Sequence, residues 1–327
     1  MSSTDSLTFG AGQVPHSSYN FFGVHIRTQN DSAFLITRDR NNNIVSFSLD
    51  NKQSDVLLPA NSIIGDYAAA TIIRDTMFVF DGDSLCLHVF RFTDNRLTKC
   101  GIKDFSKIID RKVNVPDLAY VASIEVLDHT LWTPYRIWDA AKYWMDSTTF
   151  LGVSYSLDAD TLNKLQKWWR RPDDYAKGYF RNTTGFLRKV NDSICLMGYS
   201  FIDSLILINY KTGKVVKTTC FNPCSRYRHF NWKLSEDLGY SRWYDATLEE
   251  NINILEGEDR ILVIKRLSKK EIKELSVYEY YYLDNSLQLL KHGRFAHAVA
   301  EQYCFPYQHG FLLFDDKLLK AWYYDKQ

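Results

Sequence analysis

The sequence predicts an all-β fold built from six repeats of one four-stranded antiparallel meander. Three observations predict it. First, an apolar strand six times ends in a short polar turn and a second apolar strand follows at once. The turns are Asn30-Asp31-Ser32, Arg74-Asp75-Thr76, Asp128-His129-Thr130, Asn191-Asp192-Ser193, Glu258-Asp259-Arg260 and Gln308-His309-Gly310. Such a repeat fixes an architecture before any single residue is interpreted. Second, the chain holds 21 Tyr and 20 Phe, which suit strands better than helices. Third, turn signals such as Asp81-Gly82-Asp83 and Lys211-Thr212-Gly213 recur between the later strands of each unit.

The elements follow in order. Unit one has strands at 21–28, 33–38 and 44–49, with the turn Asp50-Asn51 after them. Unit two has 67–73, 77–80, 84–92 and 96–100. Unit three has 120–127, 131–137 and 149–157, with Asp158-Ala159-Asp160 after them. Unit four has 185–190, 194–199, 205–210 and 214–220. Unit five has 251–256, 261–267, 275–283 and 286–290. Unit six has 299–305, 311–314 and 318–324 and stops where its fourth strand should begin.

Repeated four-stranded units with variable spacers are the signature of a β-propeller. The expected fold is a six-bladed propeller in one domain, 1–327. Its blades fall near 21–65, 66–118, 119–183, 184–250, 251–298 and 299–327, the last completed by 6–12. The N-terminal segment Ser6-Leu7-Thr8-Phe9-Gly10 supplies the missing strand and closes the ring, leaving no open edge there. The alternatives are seven blades, because two spacers are long, and a sandwich or two stacked β-domains.

The strand–turn–strand of 190–196, around Asn191-Asp192-Ser193, and the closing turn of 205–214 resemble the six-bladed, TolB-like propellers of exported Bacteroidetes lipoproteins. The resemblance is one of pattern and covers nearly the whole chain. It implies a propeller fold and export, and it carries over no catalytic residue.

Composition excludes some classes. A net charge of +1 gives no global field to recruit nucleic acid, so no nucleic-acid partner is expected. No apolar run approaches the length of a transmembrane helix, and the first residues lack the apolar core of a signal peptide. Two compartments fit. One is the cytoplasm. The other is the bacterial periplasm or cell surface, for a mature chain whose export signal and lipid anchor have been removed. A monomer is expected.

Six cysteines are scattered. Cys86 and Cys195 fall inside strand patterns and read as core thiols. Cys220 and Cys224 are the one close pair and leave a disulfide open, but no second pair gives zinc spacing. No metal and no cofactor are expected. The turn residues Asp31, Asp75, Asp192 and Asp259 read as backbone caps, since they lack the spacing of a calcium loop. His129 reads as a turn residue standing in for Asp.

Successive turns of a meander alternate between its two ends. The tight polar turns share one end. The connectors between units and the second-to-third turns share the other, which receives the long segments 101–118, 138–147, 165–184, 221–250 and 291–298. Long loops on a rigid scaffold commonly carry function. The candidate ligand-binding residues there are Trp138, Trp144, Trp168, Trp169, Arg170, Arg171, Arg226, Arg228, His229, Trp243, Arg294 and His297. Trp with Arg suits sugar rings, carboxylates and partner hot spots. The competing structural reading packs the tryptophans onto the blades and pairs the arginines with Asp173, Asp174, Glu236, Asp237 and Asp245. Arg294 and His297 are expected to converge with the other candidates near the axis.

The leading expectation is a non-catalytic propeller that holds a carbohydrate or a protein partner on this end. One alternative is a glycan-active lyase or hydrolase at the mouth of the axial channel. There Arg would neutralise a carboxylate while His or Tyr takes the adjacent proton. The other alternative is an interaction scaffold with no small ligand. No nucleophile elbow, phosphate loop, dinucleotide fingerprint or zinc-protease motif is present, and no catalytic residue is singled out.

Overall fold

The computed structural model describes residues 3–8, 25–29, 32–39, 41–51, 53–60, 64–65, 68–94, 96–107, 124–134, 150–159, 162–166, 185–199, 202–221, 250–256, 260–267, 276–297, 303–307, 310–315 and 320–325. They form antiparallel four-stranded sheets and no helix. The fold is a β-propeller.

Sheet 1 is β2 (His25–Gln29), β3 (Ser32–Arg38), β4 (Ile44–Ser48) and β5 (Ser54–Leu58). Sheet 2 is β6 (Ala68–Ile73), β7 (Thr76–Asp81), β8 (Cys86–Thr93) and β9 (Arg96–Asp104). Sheet 3 is β10 (Glu125–Leu127), β11 (Thr130–Pro134), β12 (Phe150–Ser156) and β13 (Leu162–Gln166). Sheet 4 is β14 (Gly185–Lys189), β15 (Ile194–Tyr199), β16 (Ile202–Asn209) and β17 (Lys214–Cys220). Sheet 5 is β18 (Glu250–Glu256), β19 (Arg260–Arg266), β20 (Ser276–Asp284) and β21 (Leu289–His297). Sheet 6 is β22 (Tyr303–Tyr307), β23 (Gly310–Asp315), β24 (Lys320–Asp325) and, as its fourth strand, β1 (Ser3–Thr8).

The first strand of each sheet approaches the first strand of the next: β2 meets β6, β6 meets β10, β10 meets β14, β14 meets β18 and β18 meets β22. β22 then returns to β2, so the circuit closes. Its two chain ends are joined by β1 against β24, with Ser6 opposite Trp322 and Thr8 opposite Lys320.

The cores lie between neighbouring sheets. Ile36, Ile44 and Leu57 of sheet 1 meet Val79, Phe90 and Phe92 of sheet 2. On its other face sheet 2 presents Phe80, Leu87 and Phe105 to Leu131 and Tyr155 of sheet 3. Leu196, Leu207 and Phe221 of sheet 4 meet Val263, Tyr281 and Leu283 of sheet 5. Each such side chain contributes about 1.5–3 kcal/mol by leaving water. Strands in the middle of a sheet are therefore largely buried, β4 throughout and β19 at all but its first residue.

The outer strands are different. β9 and β17 are exposed at most positions. Five outer strands also carry an extra residue that breaks the ladder: Thr4, Leu57, Cys100, Val216 and Leu290. A bulged edge, which in β9, β17 and β21 also carries lysine, resists pairing with another chain. The sequence pattern missed part of these strands for the same reason. Residues 101–104 and 291–297 were expected in connectors, yet they belong to β9 and β21. β5 and β13 likewise extend beyond the apolar pattern. In β21, Gly293 lies beneath the Tyr280 ring of the neighbouring strand, where an added Cβ would come 2.3 Å from the phenol oxygen.

The turns need one correction. Asp192 does not cap the backbone: its carboxylate takes the Lys189 ammonium at 2.9 Å, while Asn191 Oδ1 accepts the amides of Ser193 and Ile194. Asp75 accepts Arg27 of sheet 1 at 3.1 Å. The Arg27 guanidinium also lies 4.1 Å from the Phe92 ring centre. Asp31 and Asp259 lie outside the described residues. Carboxylates elsewhere do the capping: Asp39 accepts the amides of Asn41 and Asn43, Asp81 that of Asp83, and Asp284 those of Ser286 and Gln288. Asp128 and His129 have φ of 45° and 56°, the conformation of a tight hairpin turn with two left-handed residues.

Candidate functional site at the connector end

The seven buried Arg, Lys, His, Asp and Glu side chains among the described residues share one end of the sheets. They are Arg38, Asp81, His88, Asp203, Lys265, Arg266 and Glu279. Each lies in the half of its strand toward the second-to-third turn, the end that also carries the connectors. Ionisable groups are rarely buried without partners, so this end spends folding stability on arranging charge.

Two clusters stand out. Between sheets 1 and 2, Arg38 donates to the carbonyls of Ile64 and Gly65 at 3.0 and 2.8 Å. An added Cβ on Gly65 would lie 2.8 Å from Asp81 Oδ1, so the 64–65 segment runs between Arg38 and Asp81. His88 is 1% exposed, and neither ring nitrogen has a hydrogen-bond partner. Burial lowers its pKa and nearby Lys99 adds to this, against the pull of Asp81. The imidazole is therefore neutral at pH 7.

The second cluster crosses from sheet 4 to the outer edge of sheet 5. The Lys265 ammonium bonds Asp203 at 2.6 Å, with both side chains almost wholly buried. Lys265, Glu279 and Arg294 are successive cross-strand partners, so they form one row on one face of sheet 5. The Arg294 guanidinium bonds Glu279 through Nε at 2.8 Å and Nη2 at 2.6 Å. The Tyr281 hydroxyl donates to the other carboxylate oxygen. Burial raises the Glu279 carboxyl, but the bonds from Tyr281 and Arg294 outweigh it and hold it below its ordinary value. His292 stacks on Tyr281 at 4.6 Å and lies 3.8 Å from Glu279.

A third polar contact sits deeper, between inner strands. Glu125 of β10 lies 3.8 Å from Arg188 of β14. Burial pushes its carboxyl up to about 7, although Arg188 and Lys189 pull the other way. Its cross-strand partner Trp132 is buried with no hydrogen-bond partner for Nε1. Burial, with Glu125 adding to it, pushes the Cys195 thiol up to about 12, which makes it an inert core group.

Of the residues expected at the site, Trp138, Trp144, Trp168, Trp169, Arg170, Arg171, Arg226, Arg228, His229 and Trp243 lie outside the described residues. Arg294 and His297 lie in β21, the strand farthest from the inner circuit in sheet 5. Arg294 therefore does not approach the axis; it faces the sheet edge, committed to Glu279. The backbone of His297 pairs with Ser276. The expected loop is a strand because β20 offers a continuous ladder that its polar outer face conceals. The sequence reading missed Asp203, Lys265 and Glu279. Each is a charge at the connector end of an apolar strand, as in the Ile261–Arg266 run, and that recurrent placement was the available signal. Cys220 is an exposed free thiol, and no group of metal-ligating side chains occurs among the described residues. No helix among them is long and apolar enough to cross a membrane.

Comparison with known proteins shows the fold. No family model matches the chain, and no curated protein matches it. A member of the DUF4221 family from Bacteroides vulgatus superposes with a TM-score of 0.63 at 11% identity, covering 98% of this chain and 96% of that one. A protein of unknown function from Bacteroides thetaiotaomicron gives 0.50 at 9% identity, covering 97% and 75%. A chain of a mitotic checkpoint complex gives 0.50 at 8% identity, covering 100% and 96%. At such identities only the fold is shared.

Two outcomes follow. Replacing Lys265 by Met removes the ammonium from the buried Asp203 carboxylate and lowers stability by about 3–5 kcal/mol, whereas Lys265→Met with Asp203→Leu recovers most of the loss, read by urea unfolding. For Glu125 the folded pKa of about 7 lies above the ordinary 4.5, so the native state holds a proton that the unfolded chain releases. Its stabilising effect is full below pH ~4.5 and is lost as pH rises toward ~7. Glu125→Gln should therefore raise stability by roughly 1–3 kcal/mol at pH 8 and hardly at all at pH 4.5, measured by the same unfolding assay.

Proposed function

We propose that the chain is a single six-bladed propeller domain, 1–327, of the TolB-like kind, and that it works as a non-catalytic binding module. The partner is a glycan or a protein held on the connector end. One observation carries this reading: buried charge is confined to that end among the described residues, while the opposite end closes in short capped turns. Rigid sheets with elaborated loops at one end are the usual division between scaffold and site. Trp168, Trp169, Arg170 and Arg171 are the leading contacts, because Trp offers a flat apolar face and Arg a planar donor fork. The proposed compartment is the periplasm or cell surface of a bacterium. A lyase or hydrolase at the channel mouth finds no support in the described residues. The Arg294 of that scheme is neutralised by Glu279 at the sheet edge.

Isothermal titration of the whole chain against acidic and neutral glycans tests the reading. Saturable binding should weaken about 30-fold in Trp168→Ala/Trp169→Ala, the loss expected for one truncated hot spot. Unchanged binding in that variant would refute the site, and no binding to either class would remove the carbohydrate partner.

A further inference from the structure

The outer strands of sheets 4 and 5 form an edge of unusual character. Seven large apolar side chains are exposed among the described residues, and four of them lie in β17 and β21. Val215 is 37% exposed, Val216 57%, Leu289 50% and Leu290 55%. The same two strands contain Lys214, Lys217, Lys291 and Arg294 and no acidic residue. They adjoin, because the Lys217 ammonium donates to the Ser286 carbonyl in the turn that leads into β21.

Edge protection accounts for the lysines and the bulges. It does not account for the bulge residues themselves. Val216 and Leu290 occupy the extra positions of their strands, and both are aliphatic and turned to solvent. The bulge residue of sheet 1, Leu57, is instead buried. An added β-strand does not fit this edge, since the bulges interrupt both ladders. A second copy of the chain meeting it edge to edge would bring lysines against lysines. What fits is an anionic surface with an apolar layer directly behind it. Ammonium groups then meet phosphates while the aliphatic side chains enter the boundary below them.

We propose that the β17–β21 edge is a contact surface for a bilayer containing acidic lipids. Lys214, Lys217 and Lys291 supply positive charge to this surface, while the Arg294 guanidinium is paired with Glu279. Asp284 beside Lys217 is turned to capping the Ser286 and Gln288 amides. The surface is separate from the connector end, so it stands or falls independently of the ligand reading.

Co-sedimentation of the whole chain with vesicles of phosphatidylcholine, alone or mixed with phosphatidylglycerol, tests it. Binding should require phosphatidylglycerol and disappear in high salt. Removing two lysines in Lys214→Gln/Lys217→Gln should weaken it about 30-fold. Val216→Ser/Leu290→Ser should also weaken it, with melting temperature unchanged in both variants. No sedimentation with phosphatidylglycerol vesicles, or sedimentation that both variants leave intact, overturns the proposal. Equally tight binding of a soluble acidic peptide to the same edge would assign it to a protein partner instead and would also overturn the membrane assignment.

Discussion

The pairing of β1 with β24 is the contact on which the rest of the structure depends. Each sheet buries its faces only because a neighbour stands on either side. With the sheets in a closed circuit, middle strands such as β4 and β19 have a neighbouring sheet on both faces. Sheet 6 takes three strands from the C-terminal end of the chain and the fourth from the N-terminal end. The first and last sheets, adjacent through β2 and β22, are thereby held by hydrogen bonds between the two termini. Loss of that ladder would leave β24 as an open edge and would free sheet 1 to separate from sheet 6.

Closure also explains how charge is distributed. Between sheets the space is filled by apolar side chains such as those of Leu207, Val263 and Tyr281. Toward the connector end the filling changes to ion pairs and hydrogen bonds, as in Asp203 with Lys265 and Glu279 with Arg294. These pairs exact a desolvation cost that aliphatic packing would avoid. They fix side chains in one arrangement at the end where the connectors enter, and that is a useful property for a scaffold that must hold loops in register.

Much of this fold was legible in the sequence, and the reason is burial. Strands such as β4, β7 and β19 face neighbouring sheets on both sides, so their apolar runs stand out. Outer strands face water, and β17 and β21 carry no comparable signal beyond what their turns supply. The closing strand was visible because sheet 6 lacked a fourth member, and it is described over 3–8. The site was less legible. A single Lys or Asp carries no signal of its own burial, so Lys265 read as one residue of the 261–267 strand and Asp203 as part of the turn before 205–210. Arg294 drew notice through its neighbours in sequence, yet its partner Glu279 comes from the adjacent strand, which only the register reveals.

Native-state amide hydrogen exchange is the most direct test of ring closure. If β1 locks the circuit, amides in 3–8 that pair with β24 exchange as slowly as those of 320–325, and both are released only with unfolding of the whole domain. Exchange of 3–8 at the rate of an unprotected chain, with 320–325 and the remaining sheets still protected, would contradict the account.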